Sequence, residues 1–474
     1  MFIPLLLSAA AAAPVPAVQT AAVQSAAPAQ SANTVVQPPA LSPQGLPLPA
    51  GGTVASAIGG TNIAIGVSAL QLRNSPASGV YEFVLNETGT TWQEPFLLGV
   101  PPVPVAPNAP LLVVFHGWGN THHSILDQTS YFQEARQRGW YVVAPLGAHK
   151  YNYAIPYAQQ NVQAVLDWVT QVLPIDESRI YGVGFSMGGG SVTNYAARHL
   201  DPAHARFAAI VNHTGTVSIR DVYYNAVDTS LLEHVDMFGG TPTQLPFEYA
   251  RSSVIDIEPT VPAPDDQADL ARNLVRLPMF NFAAKSDPLQ HLVRETRIFT
   301  RWLWRIGGTP RMKLDTGALH SWDTLDEWSA CQFLSQHTLD ASPQGTHSLL
   351  ADRDAGYYCF QLEQDAPGIF TPFRWNLDES LNRLVLDQTE NLARLTVDTT
   401  AAGLDTSIAV KLILGTADGL PEEVVFDGYA VPPVDVLRNG VSAPLGSWSY
   451  DAQSGTVSII ETNAAAYPLW RIEP

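Results

Sequence analysis

One run constrains this chain more than any other: Arg179-Ile180-Tyr181-Gly182-Val183-Gly184-Phe185-Ser186-Met187-Gly188-Gly189-Gly190. A β-branched and apolar lead enters Gly-x-Ser-x-Gly, and Ser191, Val192, Asn194, Ala196 and Ala197 continue as the start of a small-residue helix. The spacing predicts a strand, a sharp turn and a helix, with the serine at the apex. Glycines two residues either side leave room where strand and helix approach each other closely. A serine held there lifts its oxygen clear of the sheet, with neighbouring N–H groups aimed at whatever it attacks.

The rest of the chain must supply a sheet around that turn. At 474 residues, two domains plus tails is the natural division. A net charge of −19, from 25 Lys+Arg against 44 Asp+Glu, argues against nucleic acid or an anionic membrane as partner. The two cysteines, Cys331 and Cys359, are 28 residues apart. They make no disulfide framework, and leave open one bridge in an exported protein or two buried thiols. No Cys/His spacing reads as a zinc site, so no metal is expected.

The first thirteen residues, MFIPLLLSAAAAA, are apolar and end in small residues. They are too short to span a bilayer and suit the apolar part of a secretion signal, although no Lys or Arg precedes Arg73. Residues 1–18 are therefore read as a signal peptide, which implies a secreted or periplasmic protein without a stable membrane span. Residues 19–62, rich in Ala, Pro, Gln, Ser and Val, read as a flexible spacer.

Residues 63–345 alternate strand and helix. Val80–Leu85 and Pro95–Val100 read as strands. Pro110–Phe115 and Trp140–Pro145 are continuous apolar runs of the kind a doubly covered parallel strand needs. Val162, Val165, Leu166, Val169, Val172 and Leu173 mark an amphipathic helix stopped by Pro174. The strand into Ser186 follows, then Phe207–Val211 and Met279–Ala284. This predicts an α/β domain, a mostly parallel sheet covered by helices. The stretch 214–276 breaks the rhythm with Tyr223, Tyr224, Phe238, Phe247 and Tyr249, and reads either as a lid over the site or as a surface excursion with its own small core.

A serine nucleophile needs a base and a group to orient it. Asp287 follows the strand Met279–Ala284, and His320 lies in the loop after the strand Arg311–Leu314. The order Ser, acid, His, each past a strand end, is that of the strand-turn-helix serine hydrolases. His116 and His213 are out of order as bases; the first shapes a Gly-rich loop and the second lines the pocket. His122, His123 and His291 read as surface or loop residues. Asp323 reads as the cap of a helix starting at Thr324. Two backbone donors for a developing oxyanion are expected from Met187, after the nucleophile, and Trp118, in the loop after His116-Gly117. Their side chains would both face the acyl group and make its pocket apolar.

With these residues in place, residues 78–340 resemble the α/β-hydrolase superfamily. The carriers are Leu112-Val113-Val114-Phe115-His116-Gly117, Ile175-Asp176-Glu177-Ser178-Arg179-Ile180-Tyr181 and Gly184-Phe185-Ser186-Met187-Gly188-Gly189. Within it they look most like secreted poly(3-hydroxybutyrate) depolymerase and feruloyl esterase-type enzymes. Dienelactone-hydrolase-like enzymes, cutinase-like polyesterases and prolyl-oligopeptidase-like peptidases share the motifs. The resemblance implies a serine esterase acting through Ser186, Asp287 and His320 without a cofactor, on a small-molecule or polymeric ester. A serine peptidase with the same triad and an inactive hydrolase-like binding module are the alternatives.

From about Gly356 the pattern becomes short alternating runs, such as Arg383–Leu386, Ala393–Val397, Ile408–Leu414, Val424–Phe426 and Thr456–Ile460. Spacing near ten residues predicts a C-terminal all-β, sandwich-like domain over 356–474. Trp448, Tyr450 and Trp470 are candidates for polymer contact or, more commonly, core.

Overall fold

The structure is a computed structural model that describes residues 52–55, 62–72, 79–87, 90–102, 108–226, 229–257, 269–317, 319–415, 421, 423–461 and 467–474. Of 52–55 and 62–72 it describes the backbone. The expected signal peptide and most of the expected spacer lie outside these residues. Within the spacer stretch, Gly52–Ala55 is strand β1, paired antiparallel with β2, Asn62–Leu72. Strand pairing needs main-chain donors and acceptors rather than charge, so composition alone misses it.

Eight further strands complete the first sheet: β3 (Val80–Glu87), β4 (Gln93–Gly99), β5 (Ala109–Phe115), β6 (Tyr141–Pro145), β7 (Ile175–Phe185), β8 (Ala209–His213), β9 (Met279–Ala284) and β10 (Arg311–Asp315). Their order is β1-β2-β3-β4-β6-β5-β7-β8-β9-β10. The pairs from β1 to β6 are antiparallel, and every pair from β6 to β10 is parallel. The chain leaves β5 toward β6 on one side and returns across β5 to β7 on the other. Such a reversal opens a crevice beyond the carboxyl ends of the two strands. The loop of His116 leaves β5 there, and Ser186 leaves β7.

The seven residues of β5 are all buried, as a strand covered on both faces requires. Leu111, Val113 and Phe115 join α3 (Pro156–Val172), α4 (Met187–Arg198) and α8 (Gln290–Arg305) in one core. Leu112 and Val114 face the other way, toward α1 (His123–Gln128), α2 (Tyr131–Gln137) and α9 (Glu327–Leu334). The period-2 alternation of one strand thus serves two helical layers. Asp326 caps α9, its side chain accepting from Ser329 N. Asp323 instead sits in a short 3-10 turn, Trp322–Thr324, because Leu325 adopts an extended backbone before α9 begins.

The stretch 214–276 carries helices α5 (Ile219–Asn225), α6 (Thr229–Phe238) and α7 (Pro246–Arg251). Ile219, Val222 and Tyr249 pack with Tyr153, Leu292 and Met187. The stretch therefore rests directly on the residue after Ser186.

From Gly345 onward the described elements are strands and one 3-10 turn, beginning with β11 (Gly345–Ala351) and ending with β23 (Leu469–Glu473). They form a seven-stranded and a six-stranded sheet. The first strand precedes the boundary expected at Gly356, because β11 pairs with Thr371–Leu377. Thr371–Asp378 alternates buried and half-buried residues along its length. Phe360 of one sheet stands 5.1 Å from both Phe373 and Trp375 of the other, within one apolar core. Trp470 is fully buried in that core, and Trp448 and Tyr450 are half-buried against it. Cys331 lies in the core beside α2 and Cys359 in the β core; both are free buried thiols, not a bridge.

Candidate active site

Ser186 occupies the turn between β7 and α4 with φ 56° and ψ −122°. A side chain on Gly184 would overlap the carbonyl of Gly188, and one on Gly188 would overlap the carbonyl of Phe115. Strand, helix and the β5 loop therefore pass through one small volume that only glycine admits. The serine main chain is pinned on both sides: Ser186 N donates to His213 O at 3.0 Å, and Thr216 N donates to Ser186 O at 3.2 Å.

The three residues expected to act together do meet. Ser186 Oγ lies 2.9 Å from His320 Nε2, and His320 Nδ1 lies 2.8 Å from Asp287 Oδ2. With the imidazole proton on Nδ1, His320 donates to Asp287 and accepts from the serine hydroxyl. Asp287 is buried, and its Oδ1 accepts from Leu289 N at 2.8 Å, so both carboxylate oxygens are fixed. The acid loop is tied to the histidine loop through Lys285 N to Asp315 O, 2.8 Å, and Ser286 N to Gly317 O, 3.1 Å. Asp315 itself is engaged by Lys313 at 3.0 Å and by Thr316, apart from the triad.

His213 takes part in a way its position does not announce. It is fully buried rather than pocket-lining, packed against Phe185, Phe282 and Trp322. Burial pushes its imidazole down to about 3, so it is neutral. Its Nε2 lies 2.8 Å from Thr324 Oγ1, which in turn donates to Ser321 O at 2.8 Å. His213 thus steadies the loop that carries His320. His291 is half-buried at the start of α8, with its base lowered by burial.

On the β5 side, Gly117 comes within van der Waals reach of Ser186: a methyl placed on it would lie 3.7 Å from Ser186 Cβ. This sets the loop of Trp118 beside Ser186. Met187 is the first residue of α4, where an N–H has no intrahelical acceptor. Its side chain is buried under the 214–276 helices, while Trp118 is 40% exposed and its ring packs at a tilt against Tyr151, 5.0 Å away. Only Trp118 therefore borders open space.

A support that the sequence does not reveal holds this loop. His116 is buried and bridges Gly117 O (2.9 Å from Nδ1) and Leu146 O (2.8 Å from Nε2). The segment after Leu146 hangs from Glu94, whose carboxylate accepts from Gly147 N at 2.6 Å, Ala148 N at 2.8 Å and Asn161 Nδ2 at 2.9 Å. Burial pushes the Glu94 carboxyl up to about 7.

A cavity of about 620 Å³ lies elsewhere, between α8 and the C-terminal strands, lined by Arg272, Trp302, Arg305, Tyr358 and Trp375 among others. No triad residue lines it. No described helix is long and apolar enough to cross a membrane.

No protein-family model and no curated protein matches the sequence. Solved structures do. The Staphylococcus aureus fluorophosphonate-binding serine hydrolase FphF is 15% identical over 54% of this chain and 98% of its own, with a TM-score of 0.40. An acetyl xylan esterase from Paenibacillus sp. R4 is 14% identical over 58% and 89%, TM-score 0.40. The acylaminoacyl peptidase of Pyrococcus horikoshii is 15% identical over 57% and 46%, TM-score 0.38.

Proposed function

We propose that the chain is an exported serine hydrolase that cleaves carboxylic esters through an acyl-enzyme. The observation that carries this reading is the hydrogen-bonded relay Asp287–His320–Ser186, with the serine raised on a positive-φ turn. Ser186 Oγ attacks the ester carbonyl and His320 Nε2 takes its proton. Asp287 keeps the second imidazole proton on Nδ1 and stabilises the imidazolium that forms. The N–H groups of Met187 and Trp118 receive the negative oxygen of the tetrahedral intermediate, a contribution worth about 3 kcal/mol per donor. His320 then protonates the departing alkoxide, and a water activated by the same nitrogen releases the acid.

Exposed apolar side chains on the loops of the site support an apolar ester over a small charged one. Trp118 is 40% exposed, and Leu289 and Leu319, from the loops of Asp287 and His320, are 38% and 64% exposed. Polyester chains and feruloyl-type aryl esters both present such a surface. The apolar N-terminal run supports export.

The test is labelling by a fluorophosphonate probe, followed by hydrolysis of p-nitrophenyl esters of graded acyl length and of aminoacyl amides. Wild type is expected to label at Ser186 and to turn over esters, with Ser186→Ala losing both. Native-rate turnover by Ser186→Ala would sink the proposal. Faster cleavage of the amides would make the enzyme a peptidase with the same triad, and an unlabelled, inactive wild type would leave a binding module.

A further inference from the structure

The loop that leaves β5 passes Trp118 and ends in a second cluster of chemistry that the serine site does not use. His122 and His123 both bring Nε2 to one oxygen of Glu82, at 3.3 and 2.6 Å. Glu82 belongs to β3, forty residues earlier in the chain. The two rings lie 4.1 Å apart, centroid to centroid, and are tilted by 52°, so both approach from one side without stacking flat. One ligand atom from each residue falls within 4.8 Å of the others.

We infer that Glu82, His122 and His123 form a binding site for a divalent transition metal, best matched to Zn²⁺, which fastens the loop carrying Trp118 to strand β3. Two imidazole nitrogens and one carboxylate oxygen are a borderline donor set of the kind zinc prefers, and three protein ligands leave a fourth position for water. Ligands about 2.0–2.1 Å from a tetrahedral ion stand roughly 3.3 Å apart. The His122–Glu82 separation already has that value, and His123 must withdraw by less than an ångström. It is free to do so: its side chain is 29% exposed and that of Glu82 18%. His122 is buried and supplies the fixed arm of the chelate. Solvent on the His123 side gives the ion its way in. In the metal-free form both imidazoles address the same carboxylate oxygen, and a cation among the three atoms replaces two competing contacts by three ligand bonds.

The site joins residues that sequence spacing could not, since adjacent histidines with one glutamate forty residues away match no zinc pattern. Its position gives it a consequence. Trp118 lies four residues before His122 on the same loop, so an ion here ties down the loop that frames the serine.

The test uses the full-length chain stripped with a chelator and titrated with Zn²⁺. Calorimetry, the metal retained after desalting and the melting temperature are read together. One equivalent bound with a raised melting temperature is expected. Removing a ligand with His122→Asn or Glu82→Gln should weaken binding by more than the roughly 100-fold that loss of an outer-shell partner can cost. His123→Gln, at a partly exposed side chain, answers the same question should the buried variants fail to fold. His320→Asn should retain the full equivalent. Binding unchanged in His123→Gln, binding lost only in His320→Asn, or equally strong uptake of Ca²⁺ would each overturn the site and leave a hydrogen-bonded trio.

Discussion

Ser186 holds a backbone conformation that a non-glycine residue adopts only where its surroundings dictate it. The dictation comes from Gly188, against which the carbonyls of Phe115 and His116 press. A methyl there would stand 2.2 Å from Phe115 O and 2.6 Å from His116 O, and push the Trp118 loop away from Ser186. Gly188→Ala is therefore expected to lower the melting temperature and, in the protein that still folds, to drop kcat on a p-nitrophenyl ester on the order of 100-fold. Circular dichroism beside the kinetics separates misplacement from unfolding. That Ser186, Asp287 and His320 would meet could be anticipated because chain order and strand ends are sequence properties. Glu94 could not, since one carboxylate in Gln93-Glu94-Pro95-Phe96 gives no sign that Gly147 and Ala148 will fold onto it. Its carboxyl is raised from 4.5 to about 7, so the folded state holds a proton that the unfolded state releases. The associated stability is present below pH 4.5 and is lost as pH rises through 7, by about 3 kcal/mol in all. Denaturant melts at pH 6 and 8 should show about 1 kcal/mol of that loss in wild type and much less of it in Glu94→Gln. An equal decline in both would remove Glu94 as its source.

The helices of the 214–276 stretch show where element-level reading stops. Its aromatic residues marked a compact patch, and the structure packs Tyr223, Phe238 and Tyr249 around His234. Period and propensity did not say what the patch covers, because Met187 and Leu292 come from outside the stretch. His234 is the weak point. It is buried, stacked 3.9 Å from Tyr153, and neither ring nitrogen has a protein hydrogen-bond partner. Burial pushes its imidazole from 6.5 down to about 3. Here the unfolded state takes up the proton first, so this contribution to stability is full above pH 6.5 and lost as pH falls toward 3. By pH 5 the loss amounts to about 2 kcal/mol. His234→Phe keeps the stacking and removes the unpartnered nitrogens. It is expected to raise the melting temperature at pH 7 and to reduce the drop between pH 7 and 5. His213, lowered by the same cause, keeps part of that drop in both proteins. A variant less stable than wild type at pH 5 would mean that His234 has a polar partner after all.

Across the whole molecule, alternation in the C-terminal third was enough to announce paired sheets, but not how they attach to the ten-stranded sheet. Attachment is made by polar groups from positions no pattern connects. Asn273 donates to Ala197 O and Leu350 O, both at 2.9 Å, and accepts from Leu350 N. Beside it, Asp352 Oδ2 receives Arg198 and Arg251, each at 2.7 Å, with Arg198 and Asp352 almost wholly out of water. The arginines hold the Asp352 carboxyl well below the usual carboxylate range, while burial brings Arg198 down to about 10. Arg353, half-buried at the next position, adds a third positive charge beside Asp352, and these cations and one anion are tolerable only together. Asp352→Asn leaves both guanidinium groups facing a neutral amide, and breaking such a cluster costs about 3–5 kcal/mol. Scanning calorimetry should find a lower melting temperature, and a split transition if the β sheets then unfold apart from the catalytic sheet. Replacing the buried ion pair and its second arginine, Arg198→Met and Arg251→Met with Asp352→Leu, should cost less than the single change, because the fully buried guanidinium goes with its anion and only the half-buried Arg353 keeps its charge. If the triple variant is as unstable as Asp352→Asn, the ion pairs themselves hold the two parts together. If Asp352→Asn melts like wild type, the attachment rests on Asn273 and the apolar contacts around Leu350.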